Sequence, residues 1–122
     1  MGYGQYGRNV SYSGIYKITN KYNGKVYVGQ SQNIYTRRNQ HFAALSGGTH
    51  ENRVMQKDYN LYSRYFCWDV IEYCGRNELN EREKYWIDKL GCAAPNGYNQ
   101  GWQPYKRKQE KKLIVRGYRR SR

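Results

Sequence analysis

Ser13-Gly14-Ile15-Tyr16-Lys17-Ile18-Thr19-Asn20-Lys21-Tyr22-Asn23-Gly24-Lys25-Val26-Tyr27-Val28-Gly29 is the stretch on which the architecture of this chain turns. Residues 13–19 and 25–29 are β-branched and aromatic runs of strand length, with Asn23-Gly24 between them. Asn-Gly between two such runs marks a hairpin, because both central residues of a type I′ turn need positive φ. A two-residue loop there predicts that Tyr22 pairs with Lys25, Asn20 with Tyr27 and Ile18 with Gly29. Side chains alternate faces along a strand. Tyr16 and Tyr27 therefore share one face, and Ile15, Thr19, Val26 and Val28 share the other, more apolar one. A one-residue change in loop length would break that phasing. With fifteen tyrosines in 122 residues, a lone strand tyrosine means little. Two tyrosines that each end a tripeptide with glycine, Gly14-Ile15-Tyr16 and Tyr27-Val28-Gly29, are a pattern.

Downstream, residues 33–45 read as a helix. Ile34, Arg38, Phe42 and Leu45 form its stripe, Asn33 its N-cap and Gly47-Gly48 its stop. Residues 50–62 read as a second helix around Val54, Met55 and Tyr59. Residues 65–73 read as a third strand. Residues 77–90 form the clearest helix, capped by Asn77 and ended at Gly91. Residues 94–101, with Pro95 and Asn96-Gly97, read as loop. The order β-β-α-α-β-α predicts an α/β fold, a small three-stranded antiparallel sheet flanked by helices.

One domain is expected at this length, running over 13–103. Residues 1–12, rich in Gly and Tyr, read as a flexible N-terminal extension. Residues 104–122 read as a basic tail. From Tyr105 onward there are nine Lys or Arg against one acidic residue, Glu110. A net charge of +13 points to a polyanionic partner, nucleic acid before an anionic membrane. There is no long apolar run for a transmembrane helix and no apolar signal segment. Cys67, Cys74 and Cys92 show no metal-ligand spacing and suggest reduced thiols in a cytosol-like compartment. At 38% apolar and 16% aromatic residues, the core must draw on Tyr and Trp.

One residue breaks the pattern of the last helix. Leu79, Trp86, Ile87 and Leu90 form its apolar stripe, and position 83 belongs to that stripe by helical spacing. It holds Glu83. An inward carboxylate is costly unless paired or bound to a cation. It is either a core-edge residue that pairs with an arginine or swings to solvent, or a metal ligand. A hard cation such as Mg²⁺ needs only one or two carboxylates, with water and substrate phosphate completing its shell.

The two glycine-tyrosine triplets, with Val28 for the usual Ile, resemble the signature of the GIY-YIG endonuclease superfamily. The resemblance is nearest to the catalytic domains of the intron-homing endonucleases of T-even phages, and it covers about residues 13–101. The resemblance implies a DNA endonuclease that depends on a divalent metal, Mg²⁺ with Mn²⁺ as an alternative. It assigns a catalytic arginine to Arg37, within Ile34-Tyr35-Thr36-Arg37-Arg38-Asn39-Gln40-His41-Phe42, and histidines to His41 and His50. It assigns the metal-binding glutamate to Glu83, within Glu81-Arg82-Glu83-Lys84-Tyr85-Trp86. It assigns an asparagine to Asn99, within Asn96-Gly97-Tyr98-Asn99. Tyr16 is the candidate general base, with Tyr27 and His41 as positioning or proton-relay groups, His41 as the open alternative base, and Asn99 supporting the site by hydrogen bonds. For His41 a plain helix-surface histidine is the competing reading. Arg38, His50, Lys106, Arg107 and Lys108 are candidate substrate contacts. The basic tail is either an arm on the DNA backbone or a solvated end. Nothing in it resembles a zinc finger or helix-turn-helix, so site specificity is expected to be low, or supplied by a partner or a dimer. A catalytically silent DNA-binding module and a structure-selective repair nuclease remain as other classes.

Overall fold

A computed structural model of the chain describes residues 12–100. Three antiparallel strands, β1 (Gly14–Asn20), β2 (Val26–Ser31) and β3 (Phe66–Tyr73), form a sheet in the order β2-β1-β3. Helices α1 (Ile34–Gly47), α2 (Arg53–Tyr62) and α3 (Leu79–Leu90) complete the expected order. Residues 1–11 and 101–122, which include Lys106, Arg107 and Lys108, lie outside the described residues. Tyr12, assigned from sequence to the extension, accepts a hydrogen bond from the Ile34 N–H at 3.1 Å.

The hairpin loop has four residues, not two. Tyr16 pairs with Gly29 and Ile18 with Tyr27, a register two residues from the expected one. Two asparagine side chains explain the wider loop. The Asn20 Oδ1 accepts the Tyr22 N–H and the Asn23 Oδ1 accepts the Lys25 N–H, each at 2.9 Å. Gly24 takes the left-handed conformation, φ 81°, and donates to the Asn20 carbonyl at 2.7 Å. Strand side chains repeat every two residues, so a shift of two leaves every face as expected.

Each face of the sheet carries its own core. Ile15 and Val28 pack with Leu79, Ile87 and Cys92, which puts α3 on that side. Ile18 packs with Leu45, Met55 and Tyr98, which puts α1 and α2 on the other. Asn33 caps α1, its side chain accepting from the Tyr35 and Thr36 N–H groups. Ile34, His41 and Leu45 are buried along α1 with Arg38 half-buried, so His41 lies on the inward stripe. α2 starts three residues later than expected, because Asn52 caps it through the Met55 N–H. Its inward residues are Met55 and Gln56; Val54 is 40% exposed.

α3 also starts later. A 3₁₀ turn, Arg76–Glu78, precedes it, and the Glu78 carboxylate rather than Asn77 takes a nearby N–H, that of Gly75 at 3.0 Å. Leu90, expected on the stripe, is exposed. The helix is clamped to β3 at Glu72. Arg82 donates from Nε and Nη2, and Trp86 donates from its indole nitrogen at 2.8 Å. This fixes the rotation of α3 and turns Glu83 towards β2.

β2 is an edge strand, and residues 98–99 close its outer side. The Tyr98 N–H donates to the Val26 carbonyl at 2.9 Å. The Asn99 side chain then does the work of a neighbouring strand at Val28: its Oδ1 accepts the Val28 N–H and its Nδ2 donates to the Val28 carbonyl, both at 2.9 Å. Unpaired buried backbone groups are costly. Replacing Asn99 with Ala should therefore lower stability by about 1–3 kcal/mol, read as a shift of the urea midpoint at constant slope. A midpoint unchanged from wild type would show that the edge does not depend on this amide.

Candidate active site

Tyr16 is fully buried on the α1–α2 face of β1, and its ring lies against Gly29 across the hairpin. A Cβ at position 29 would fall inside the Tyr16 hydroxyl end. The glycine of the second triplet is therefore the space into which the tyrosine of the first one fits.

From the Tyr16 hydroxyl runs a chain of short hydrogen bonds. Tyr16 Oη meets His41 Nε2 at 2.6 Å, and His41 Nδ1 meets His50 Nε2 at 2.7 Å. His50 Nδ1 accepts the Asn52 N–H at 3.0 Å. A main-chain N–H can only donate, and this assigns the tautomers. Neutral His50 must carry its proton on Nε2 and donate to His41 Nδ1. Neutral His41 then carries its proton on Nε2 and donates to Tyr16 Oη. The phenol proton of Tyr16 is left pointing away from His41.

Burial keeps both rings neutral. It lowers His41 from the usual 6.5 to about 4, helped by its neighbours His50 and Arg37. His50 is also lowered by burial, with the Glu51 charge opposing. The same burial raises Tyr16, aided by Tyr27, while a hydrogen bond and the charge of Arg37 pull it down. Tyr27 is raised by burial and by Glu83, and Arg37 opposes.

Glu83 lies half-buried beyond the edge of β2. Gln30 of β2 donates from Nε2 to its Oε1 at 3.0 Å and to Asn80 at 2.8 Å. A cleft of about 510 Å³ opens here, lined by Tyr27, His50, Glu51, Asn52, Arg53, Glu83 and Asn99 among others. A neighbouring recess holds Arg37 and His41 and shares His50 and Glu51 with the cleft. The site therefore wraps around the β2 edge, with Arg37 and the histidines on one side and Glu83 on the other.

Among the described residues no group of three or more His, Cys, Asp or Glu could hold a metal ion. One half-buried carboxylate at an open, polar cleft fits a hard cation that keeps most of its waters, and does not fit zinc. The thiols take no part: burial pushes Cys92 up to about 11, and its sulfur sits 3.1 Å from the Asn99 Oδ1.

Tyr27, His50 and Glu83 thus line one cleft, Arg37 and His41 line the recess that adjoins it at His50, and Tyr16 lies buried behind them, joined through His41. Asn99 supports its floor through Val28. Arg38 stands apart, over Tyr35 and Trp68. The helix-surface reading of His41 is overturned by its burial, 5% exposed. Sequence reasoning missed Gln30, Asn52 and Gln56. Gln56, fully buried, accepts the His50 N–H at 2.9 Å and donates to the Leu45 carbonyl at 3.0 Å, holding the loop that carries His50. The logic that singled out Glu83, a polar residue on an inward stripe, would also have found Gln56. The cap rule would have found Asn52.

A family profile for the GIY-YIG catalytic domain matches residues 12–99. Intron-associated endonuclease 1 of Enterobacteria phage T4 is 36% identical over 89 residues, which are 71% of this chain and 36% of that protein. The chain thus spans about a third of the length of that relative. Among solved structures, the catalytic domain of homing endonuclease I-TevI is similar at 34% identity with TM-score 0.64, over 70% of this chain and 95% of that one. A mutant of the catalytic domain of intron endonuclease I-TevI matches at TM-score 0.65 and 34% identity, over 74% of this chain and 93% of that one.

Two outcomes follow from the packing. Gly29→Ala forces the Tyr16 ring from its place and should cut any activity of the site at least 100-fold while far-ultraviolet circular dichroism stays native; full activity in that variant would refute the fit. The depressed His41 gives a stability term with a definite sign. Between pH 6.5 and 4 the unfolded chain takes up a proton that the folded chain refuses, so stability falls as pH drops through that window. The loss is on the order of 3 kcal/mol. Thermal midpoints from pH 7.5 to 4 should show it, and His41→Gln should flatten the profile.

Proposed function

Because the chain belongs to the GIY-YIG catalytic-domain family, we propose that it is a divalent-metal-dependent endodeoxyribonuclease of homing type. The observation that carries this reading is the hydrogen-bonded line from Asn52 through His50 and His41 to Tyr16, whose His50 is shared by the cleft that holds Glu83 and the recess that holds Arg37. Glu83 would hold the cation, Mg²⁺ or Mn²⁺. When bound, the cation polarises a scissile phosphate and stabilises the leaving oxygen.

The chain's own groups supply the rest. Tyr16 is the general base that takes a proton from the attacking water. His41 is not, since its Nε2 already carries a proton directed at Tyr16. The tyrosinate this requires is disfavoured by burial. It gains two donors, the His41 Nε2–H and the Arg37 guanidinium, each stronger towards an anion than towards a phenol. In this reading Arg37 also meets the charge that grows on the phosphoryl oxygens. Water adds to phosphorus, the bond to the leaving sugar oxygen breaks, and that oxygen takes a proton from solvent. Tyr27 positions the water and phosphate, and Asn99 holds β2 and with it Tyr27 and Gly29.

The substrate is DNA, in keeping with the +13 charge. The basic tail serves as an arm on the DNA backbone, and Lys106, Arg107 and Lys108 act there. Double-strand cleavage is completed by a dimer or a helper protein, since one site cuts one strand at a time. The protein works in the cytoplasm of a bacterial or phage-infected cell; among the described residues no helix is long and apolar enough to cross a membrane.

Supercoiled plasmid with Mg²⁺ should be nicked or linearised by the wild type, and not with EDTA nor by Glu83→Ala. Tyr16→Phe should lose at least 100-fold in rate. With Tyr16 as base, the single-turnover rate should climb about tenfold per pH unit from 6.5 to 8.5. A rate already flat above pH 5.5 would shift the base to His41. Salt-sensitive DNA binding without any cleavage by wild type would make the chain a silent binding module.

A further inference from the structure

Arg38 stands one helical position from Arg37, yet it faces a different environment. Its guanidinium carbon lies 5.6 Å from the ring centre of Tyr35 and 5.3 Å from that of Trp68. The two rings are themselves in contact, 5.6 Å apart. Tyr35 is fixed in turn by a hydroxyl–hydroxyl bond to Tyr73 and by the edge of the Tyr12 ring. Trp68 stacks on Tyr16, centres 6.0 Å apart and planes 27° apart. Its indole N–H meets no acceptor among the described residues, so packing alone holds it. A continuous row therefore runs from His41 through Tyr16 and Trp68 to Arg38, across the face of the sheet and away from the Glu83 cleft.

An arginine held against aromatic faces keeps the donors along its rim for an anion. Among the described residues Arg38 has no carboxylate partner; its one side-chain hydrogen bond is to the neutral Asn39 Oδ1, at 3.3 Å. Two aromatic rings hold a long, costly-to-order side chain in one place, and no carboxylate among the described residues neutralises its charge. We propose that Arg38, braced by Tyr35 and Trp68, is a second phosphate seat. It grips the strand being cut at a phosphate a short step from the scissile one, on the β3 side of Tyr16. The seat rests on the nuclease reading above and assigns the direction in which the strand leaves the site. Trp68 is a positioning residue, acting through Arg38 on one side and Tyr16 on the other.

The test is DNA binding by the full chain in the Glu83→Ala background, so that no cleavage interferes. The probe is a duplex spanning a cut mapped from the plasmid products, measured over a series of salt concentrations. Arg38→Ala should weaken binding about tenfold and reduce the salt slope by about one. Trp68→Leu should weaken binding with the slope unchanged, since the charge remains; if that variant does not fold, Tyr35→Leu takes its place. Single phosphates in the probe are then replaced by uncharged methylphosphonate. One replacement within three phosphates of the cut should cost the Arg38-containing protein about tenfold and cost Arg38→Ala nothing. An unchanged salt slope in Arg38→Ala, or methylphosphonate effects the same in both proteins, overturns the seat while cleavage stands. If wild type cuts no plasmid, the salt series on a random duplex still decides: a slope lowered by about one keeps Arg38 as a phosphate contact and discards the nuclease reading instead.

Discussion

The ring of Tyr16 occupies the volume that any side chain at position 29 would need. That fit couples the two strands of the hairpin at the site itself. It leaves the phenol hydroxyl within hydrogen-bond reach of His41 Nε2. The His41 ring is itself set by its place on the buried stripe of α1 and by His50 behind it. His50 in turn hangs from the Asn52 N–H and from Gln56, both at the start of α2. The direction of the hydrogen bond at a phenol on a strand is thus set by a main-chain N–H from a helix cap more than thirty residues away.

Much of this was legible in the sequence because parity outlives register. The loop turned out two residues longer than the Asn23-Gly24 signal implies, yet Tyr16 and Tyr27 still share a face. Only an odd error would have separated them. The helix boundaries were less secure, since Asn77 and Asn52 are both plausible caps and only tertiary context selects between them and their neighbours. Glu83 was visible as a charge on an apolar stripe. The hydrogen-bond line was not: His41 and His50 meet through a loop whose geometry depends on Gln56, and no local pattern encodes that distance. Nor could Trp68, one aromatic among many in this chain, be told apart from core packing.

Burial acts on this site in two opposing ways. It keeps the histidines neutral, which preserves the directed line of N–H donors. It also disfavours the phenolate at the end of that line. The arrangement answers the second effect with a donor and a charge: His41 donates to the Tyr16 oxygen, and Arg37 pulls its pKa back down. A polar network in a dry setting holds its direction because no water competes for its partners. The cost is paid in acid sensitivity, since one extra proton on His41 reverses the bond that His50 donates.

The Asn99 amide has a consequence for how two copies could meet. By satisfying both backbone groups of Val28, it removes β2 as a place where another strand can add. Among the described residues this leaves β3 as the sheet's remaining open margin. The rim of the sheet beside the cleft is thus closed to a further strand by one side-chain amide, and the cleft stays clear of any chain that would add there.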